Sequence, residues 1–175
     1  SRSETYWSWL WGELALVGAA WLLAPRGVPA RFAAMCLFVP LFSVRPAGPA
    51  DGEIRITFLD VGQGLAALVR TRGHALLYDA GPAYSVDADA GNRVVVPFLR
   101  GEGLDRLDAV MVTHNDVDHS GGARSVMRTL PPGALWSSLG QDHPAQGDAP
   151  YRLPCRAGVR WIWDGIMFEL LYPPE

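Results

Sequence analysis

The chain has 175 residues, with 15 Lys+Arg against 18 Asp+Glu and a formal net charge of −3. At 49% hydrophobic and only 19% charged it is too apolar for intrinsic disorder, and it has no Gly-X-Y period that would make it collagen-like. Residues 1–50 hold four basic and two acidic groups and residues 51–175 hold eleven and sixteen, so a +2 half is joined to a −5 half. All the basic residues are Arg, which reads as codon bias. The acidic half advertises no nucleic-acid face of its own. An acidic balance also accompanies sites whose carboxylates hold cations. Cys36 and Cys155 are too few for a disulfide framework and read as unpaired, mostly buried thiols.

Tyr6 to Ala24 (YWSWLWGELALVGAAWLLA) carries one charge, Glu13, and nearly the ~20 apolar residues that span a bilayer. Trp7, Trp9, Trp11 and Trp21 lie toward its ends, where amphipathic rings prefer the headgroup level. A second apolar run, Phe32 to Val44, is shorter and contains Pro40, so by length it suits a re-entrant or interfacial piece as well as a span. Between them Pro25 to Arg31 forms a basic turn. If both runs span, the positive-inside rule puts this turn in the cytoplasm and everything after Arg45 outside it. Residues 1–45 are therefore read as membrane segments and 46–52, rich in Pro and Gly, as a linker. Residues 53–175 are read as a soluble domain.

In that domain the periodicity shortens. Glu53–Leu59 alternates, with Ile54, Ile56 and Phe58 on one face expected to be half-buried. Leu65–Thr71 and His74–Ala80 read as strands, Arg93–Arg100 as a short helix weakened by Pro97, and Asp108–Thr113 as a buried strand entering a polar loop. Gly121–Leu130 reads as a helix ended by Pro131-Pro132. Val159–Trp163 and Ile166–Tyr172 flank Asp164-Gly165, a strong hairpin signal. The pattern implies an α/β domain of sheet and outer helices.

The chemistry concentrates in Thr113-His114-Asn115-Asp116-Val117-Asp118-His119-Ser120-Gly121-Gly122. Two imidazoles and two carboxylates fall within six residues at the end of an apolar strand. His114 and Asp116, two apart, project to one side of an extended segment. Asp118 and His119 follow where the chain turns. Such N/O donors suit Zn²⁺, Mn²⁺ or Fe rather than Ca²⁺, and two pairs could hold one or two divalent ions. A paired site activates water and clamps the oxygens of a displaced phosphodiester or acyl group. A solvated acidic loop with incidental His is the plainer alternative.

His114-X-Asp116-X-Asp118-His119 resembles the metal signature of the metallo-β-lactamase fold, whose usual form is His-X-His-X-Asp-His. Asp116 stands where the second His is usual. With Leu59-Asp60-Val61-Gly62-Gln63-Gly64, Leu77-Tyr78-Asp79-Ala80-Gly81 and the Trp161–Gly165 hairpin, the chain resembles the C-terminal domain of the ComEC family, inner-membrane channel proteins of bacterial DNA uptake. The resemblance implies an α/β fold, the N-terminal half of a metallo-β-lactamase-like αββα sandwich preceded by one or two transmembrane helices. It implies His114 and Asp116 at one Zn or Mn ion, and Asp118 and His119 at a second. Asp118 would also orient or deprotonate the attacking water, and Asp79 would orient the loop from behind. Asp60, Gln63 and Gly64 would approach the same cleft, the glycines being equally explained by a tight turn. His74 and His143 read as surface or loop residues, His143 with the further possibility of an extra ligand.

The fold's second half supplies further ligands, among them another His and a bridging carboxylate, and the sequence to Glu175 shows none of them. An open half-site implies weaker metal binding, with hydrolysis belonging to the full-length protein. The implied partners are DNA, the membrane and further channel helices, and the implied location is the inner membrane with the soluble domain on its outer side. Two other classes remain open: a non-catalytic module that scaffolds the channel or guides DNA, and a small-molecule metallo-hydrolase.

Overall fold

The computed structural model describes residues 2–25, 31–40, 47–140 and 142–174. The chain forms two compact units, Ser1–Ala47 and Gly48–Glu175.

The first unit holds helix α1 (Arg2–Leu22) and an eight-residue 3₁₀ helix, Arg31–Phe38. They approach closely at Gly18, where an added Cβ would sit 3.0 Å from the Ala34 carbonyl oxygen and from the Phe38 ring. The sequence leads one to expect one or two membrane spans here. Among the described residues, however, no helix is long and apolar enough to cross a membrane. Arg2, Glu4, Glu13, two serines and the amphipathic Tyr and Trp rings dilute the hydropathy of α1. In the described part of the second run, Arg31–Phe38 forms about 16 Å of 3₁₀ helix, at roughly 2 Å per residue. The core of the basic turn (26–30) and residues 41–46 lie outside the described residues. The unit presents much apolar surface: Leu16, Val17, Leu23, Phe32, Met35 and Val39 are all exposed. Cys36 is exposed too, against expectation, while Cys155 is buried and both are free.

The second unit contains strands β1 (Arg55–Phe58), β2 (Ala67–Arg70), β3 (Ala75–Tyr78), β4 (Ala83–Ser85) and β5 (Ala88–Asp89). A π-helical turn, Gly91–Val95, runs without a break into α2 (Val96–Gly101), and Pro97, which has no N–H to donate to the preceding turn, stands just past that junction. There follow β6 (Leu107–Val112), α3 (Val117–Ser120), α4 (Ala123–Thr129), β7 (Pro132–Ser137), the 3₁₀ helix Pro144–Asp148, β8 (Arg152–Pro154), β9 (Arg160–Trp163) and β10 (Ile166–Glu169).

Six strands make one sheet in the order β1-β2-β3-β6-β7-β8. The β1-β2-β3 meander is antiparallel, and β3, β6, β7 and β8 run parallel. β3 and β6 are near-continuous apolar runs because both their faces are covered, whereas β8, at the sheet edge, is exposed along its length. One face packs Leu68, Leu77, Val110, Val112 and Leu135 against Leu99, Val126 and Met127 of the helices. On the other face, Leu76, Ala109 and Met111 pack beneath Trp161 and Trp163 of the β9–β10 hairpin, with Trp136 stacked on Trp161. The hairpin closes at Asp164 (φ 47°) and Gly165 (φ 81°), the left-handed pair of a type I′ turn. β1 keeps the expected alternation, but Ile54, Ile56 and Phe58 are 45%, 51% and 73% exposed rather than half-buried. β1 is an edge strand, and among the described residues the hairpin covers the sheet from Val69 inward without reaching it.

Candidate metal centre

The site forms where β6 ends. β6 is buried and delivers Thr113 and His114 at its carboxyl end, after which Asp116, in extended conformation, caps the single-turn α3. The Asp116 carbonyl accepts hydrogen bonds from His119 N (3.0 Å), Ser120 N (2.9 Å) and Ser120 Oγ (3.1 Å). That turn brings His119 back beside His114, with ring centroids 4.0 Å apart and planes tilted by 48°. His114 Nε2 lies 3.4 Å from Asp116 Oδ2, and His119 Nε2 lies 3.7 Å from Asp118 Oδ2.

Asp79 organises this loop from beneath. It is fully buried and adopts φ 55°, a left-handed conformation that Asp tolerates better than most residues. Its carboxylate accepts from Thr113 N (2.8 Å), from Thr113 Oγ1 (2.8 Å to Oδ2) and from His119 Nδ1 (2.8 Å). The Thr113 hydroxyl has one proton, and the acceptor-only carboxylate takes it. The hydroxyl oxygen then accepts from His114 Nδ1, 2.8 Å away. One buried carboxylate thus engages the Nδ1 of both rings, one directly and one through Thr113, and leaves both Nε2 atoms as acceptors on the carboxylate side. Thr113 is missed in the sequence because a Thr ending a β-strand carries no signal of its own. Its adjacency to His114 and pairing with Asp79 appear only in the fold.

The surrounding chain is fitted by close backbone approach. Ala80 N donates to His119 O (2.9 Å), Gly122 N to Gly81 O (3.0 Å) and Leu65 N to Asp118 O (3.1 Å). Gly64, at φ 148°, leaves no room for a Cβ, which would overlap the Asp118 carbonyl oxygen. Gly122 passes so close to the Ala80 carbonyl and Gly91 nitrogen that it admits no side chain either.

The fold therefore brings together His114, Asp116, Asp118, His119 and Asp79, and sets the Gly64 backbone against Asp118. Asp60 and Gln63 are exposed. Asp60 accepts from Gly62 N in its own loop (3.3 Å), and Gln63 makes no side-chain hydrogen bond with a described residue. His143 Nδ1 accepts from Ala145 N (3.2 Å) and caps the Pro144–Asp148 helix. His74 stacks on Trp163 (4.9 Å, 4°) and bonds Asp164 (3.2 Å). Asp164 also accepts from Thr71 Oγ1 and Gly73 N, both at 2.7 Å. These bonds, the Thr71 hydroxyl first, then Gly73 N–H and His74, hold its carboxyl down at about 2. Burial pushes the Cys155 thiol above its ordinary range, Asp79 adding a smaller push, and burial and then Asp79 push Tyr78 up.

Among the described residues, no group of three or more His, Cys, Asp or Glu side chains is drawn together tightly enough to hold a metal ion. The donors stand as two imidazole–carboxylate pairs. Their chemistry nonetheless fits a divalent cation such as Zn²⁺ or Mn²⁺, and an imidazole whose Nδ1 is engaged by a carboxylate, as His119 is, is the usual state of a ligating histidine.

The family profile of the metallo-beta-lactamase superfamily matches residues 59–166, well over half of the chain and inclusive of every residue of this loop. The chain belongs to that superfamily. Its relatives include competence protein ComA of Neisseria gonorrhoeae, 38% identical over 162 residues that cover 93% of this chain and 22% of that protein. YcaI of Escherichia coli is 33% identical over 172 residues, 95% of this chain and 21% of that protein. Recombination protein 2 of Haemophilus influenzae is 34% identical over 119 residues, 68% of this chain and 14% of that protein. These relatives support the ComEC-family identity that the motifs imply. The chain spans about a fifth of the length of the first two.

Proposed function

We propose that this metallo-β-lactamase domain serves a bacterial DNA-uptake protein as a metal-dependent phosphodiesterase acting on the incoming DNA. The observation that carries the reading is the Asp79 carboxylate, bonded to His119 and through Thr113 to His114, which turns both Nε2 atoms toward Asp116 and Asp118. His114 and Asp116 would hold one divalent ion, Zn²⁺ or Mn²⁺, and Asp118 and His119 a second. When bound, such ions acidify water and offset charge that builds on phosphoryl oxygens. The chain's own residues do the rest. Asp118 Oδ2 orients the attacking water and takes its proton. Asp79 and Thr113 keep each imidazole in the tautomer whose Nε2 accepts. Gly64 and Leu65 fix the Asp118 backbone from which the carboxylate projects.

The names of the relatives, competence and recombination proteins, support DNA as the substrate class. The exposed apolar side chains of the first unit support contact with a membrane or with further channel helices, and the basic Pro25–Arg31 turn, by the positive-inside rule, would put the soluble domain on the outer side of an inner membrane. A second reading, a non-catalytic module that guides DNA, is favoured by the one fact that no three donors are gathered among the described residues.

Two measurements separate the readings: Mn²⁺ and Zn²⁺ binding by the chain, and metal-dependent cleavage of a labelled oligonucleotide by the full-length protein. Binding and cleavage that both fall in His114→Ala and Asp118→Ala support the nuclease. Absent metal binding, or cleavage that survives both substitutions, overturns it.

A further inference from the structure

A cavity of about 620 Å³ opens at the sheet edge formed by β7 and β8, lined by Ser137, Leu139, Asp142, Gln146, Arg152 and Arg156 among others. In open α/β sheets, ligands bind in the crevice outside the carboxyl ends of parallel strands, and this cavity extends to that end of β7 and β8. The register aligns Val112 with Ser137 and Ser137 with Pro154. The alignment continues past the strands, where Ser138 N donates to Val112 O and Cys155 N to Ser137 O, both at 3.2 Å. His114 and Arg156 thus lie two residues beyond the same row. With strands about 4.8 Å apart, their backbones are roughly 10 Å from each other, a few nucleotides along a strand of nucleic acid.

The charges in the cavity point to an anion. Arg152, Pro154 and Arg156 alternate with Leu153 and Cys155, so by strand periodicity they share one side. Neither Arg152 nor Arg156 forms an ion pair with a described residue, whereas Arg70, Arg72 and Arg160 are paired with Glu102, Asp51 and Glu169. Among the described residues of the lining, Asp142 is the single carboxylate beside two arginines. Gln146 is buried and holds its amide on the Leu139 and Gly140 carbonyls (2.9 and 3.2 Å), which fixes the part of the lining that it forms. A domain of net charge −5 that acts on a polyanion needs such a local positive surface beside its centre.

We propose that this cavity is a phosphate subsite, in which Arg152 and Arg156 hold backbone phosphates of a single nucleic-acid strand that flank the bond presented to His114 and Asp118. The proposal rests on the phosphodiesterase reading and adds where the strand runs. The test measures binding of a fluorescent 12-mer oligo-dT to the chain in EDTA across a salt series, so that neither metal nor cleavage enters. Arg152→Ala/Arg156→Ala should lower the slope of log affinity against log salt by about 1.4, two phosphate contacts at ~0.7 each for single strands. Arg152→Lys/Arg156→Lys should keep the slope, and Arg160→Ala, on the paired hairpin arginine, should leave it unchanged. A slope unaltered in the double Ala variant overturns the proposal, as does an equal fall in Arg160→Ala or a wild-type chain that binds the strand with no salt dependence. None of these outcomes touches metal binding or cleavage, which decide the phosphodiesterase reading separately.

Discussion

Asp79 Oδ2 lies 2.8 Å from His119 Nδ1, and the same carboxylate, wholly buried, takes the backbone and hydroxyl protons of Thr113. The pair joins residues 40 apart in the sequence and couples the end of β3 to the turn after β6. Replacing Asp79 by Ala strands three donors in a dry site, each at about 1–3 kcal/mol. Asp79→Ala should therefore lose several kcal/mol of stability in urea unfolding. Asp79→Asn, which keeps the volume, should lose less stability and still weaken Mn²⁺ or Zn²⁺ binding by about 10–100-fold. Asn binding metal as tightly as wild type would show that the carboxylate does not orient the histidines.

Thr113 should matter through its hydroxyl alone. In Thr113→Ala the His114 ring loses its Nδ1 partner, and ¹⁵N shifts of the ring should show a mixture of tautomers where wild type shows one. Thr113→Ser should restore the wild-type spectrum. An Ala variant with an unchanged His114 spectrum would contradict the relay.

Gly64→Ala should displace the Asp118 backbone, because its Cβ would overlap the Asp118 carbonyl and φ 148° disfavours any L side chain. The expected cost is about 1–3 kcal/mol, with weaker metal binding. Gly52→Ala is the control, since its φ of 74° also disfavours an L side chain, though less than 148° does, and nothing lies near its Cβ. Metal binding equal in the two variants would remove Gly64 from the site.

Asp164 predicts an acid transition remote from the metal loop. Its carboxyl is lowered from 3.8 to about 2 by the Thr71 hydroxyl, then Gly73 N–H and His74. A depressed carboxyl stabilises the fold in full above the unfolded value, and its contribution is lost as pH falls from about 4 through about 2. Wild type should therefore exceed Asp164→Asn in stability at pH 6, with the gap closing by pH 2. A gap constant over that range would show that the loop 71–74 is held by something else.

The signature His114–His119, the β6 strand that delivers it and the β9–β10 turn at Asp164-Gly165 were all legible in the sequence, because each depends on local spacing. β1 was only half legible. Alternation shows that Ile54, Ile56 and Phe58 share a face, but what covers that face depends on neighbours far along the chain, and at this edge they stay exposed. β7 and β8 were not read from the sequence, since Pro132 and Pro154 mask short strands whose partners are non-local. Asp164 read as a turn former alone, although its carboxylate bonds residues some 90 positions earlier. The Tyr6–Ala24 run lies largely within α1, yet Glu13 and the Trp and Tyr rings, which count as apolar while preferring an interface, leave that helix short of the hydropathy that crossing a membrane requires.

The proposed metal centre of His114, Asp116, Asp118 and His119 is open to direct measurement. Calorimetric titration of the chain with Mn²⁺ and Zn²⁺, wild type against His114→Ala and Asp118→Ala, tests it most directly. Wild type should show saturable binding of one or two ions, weakened at least tenfold in each variant. Binding that is absent in wild type, or equally tight in both variants, would contradict it.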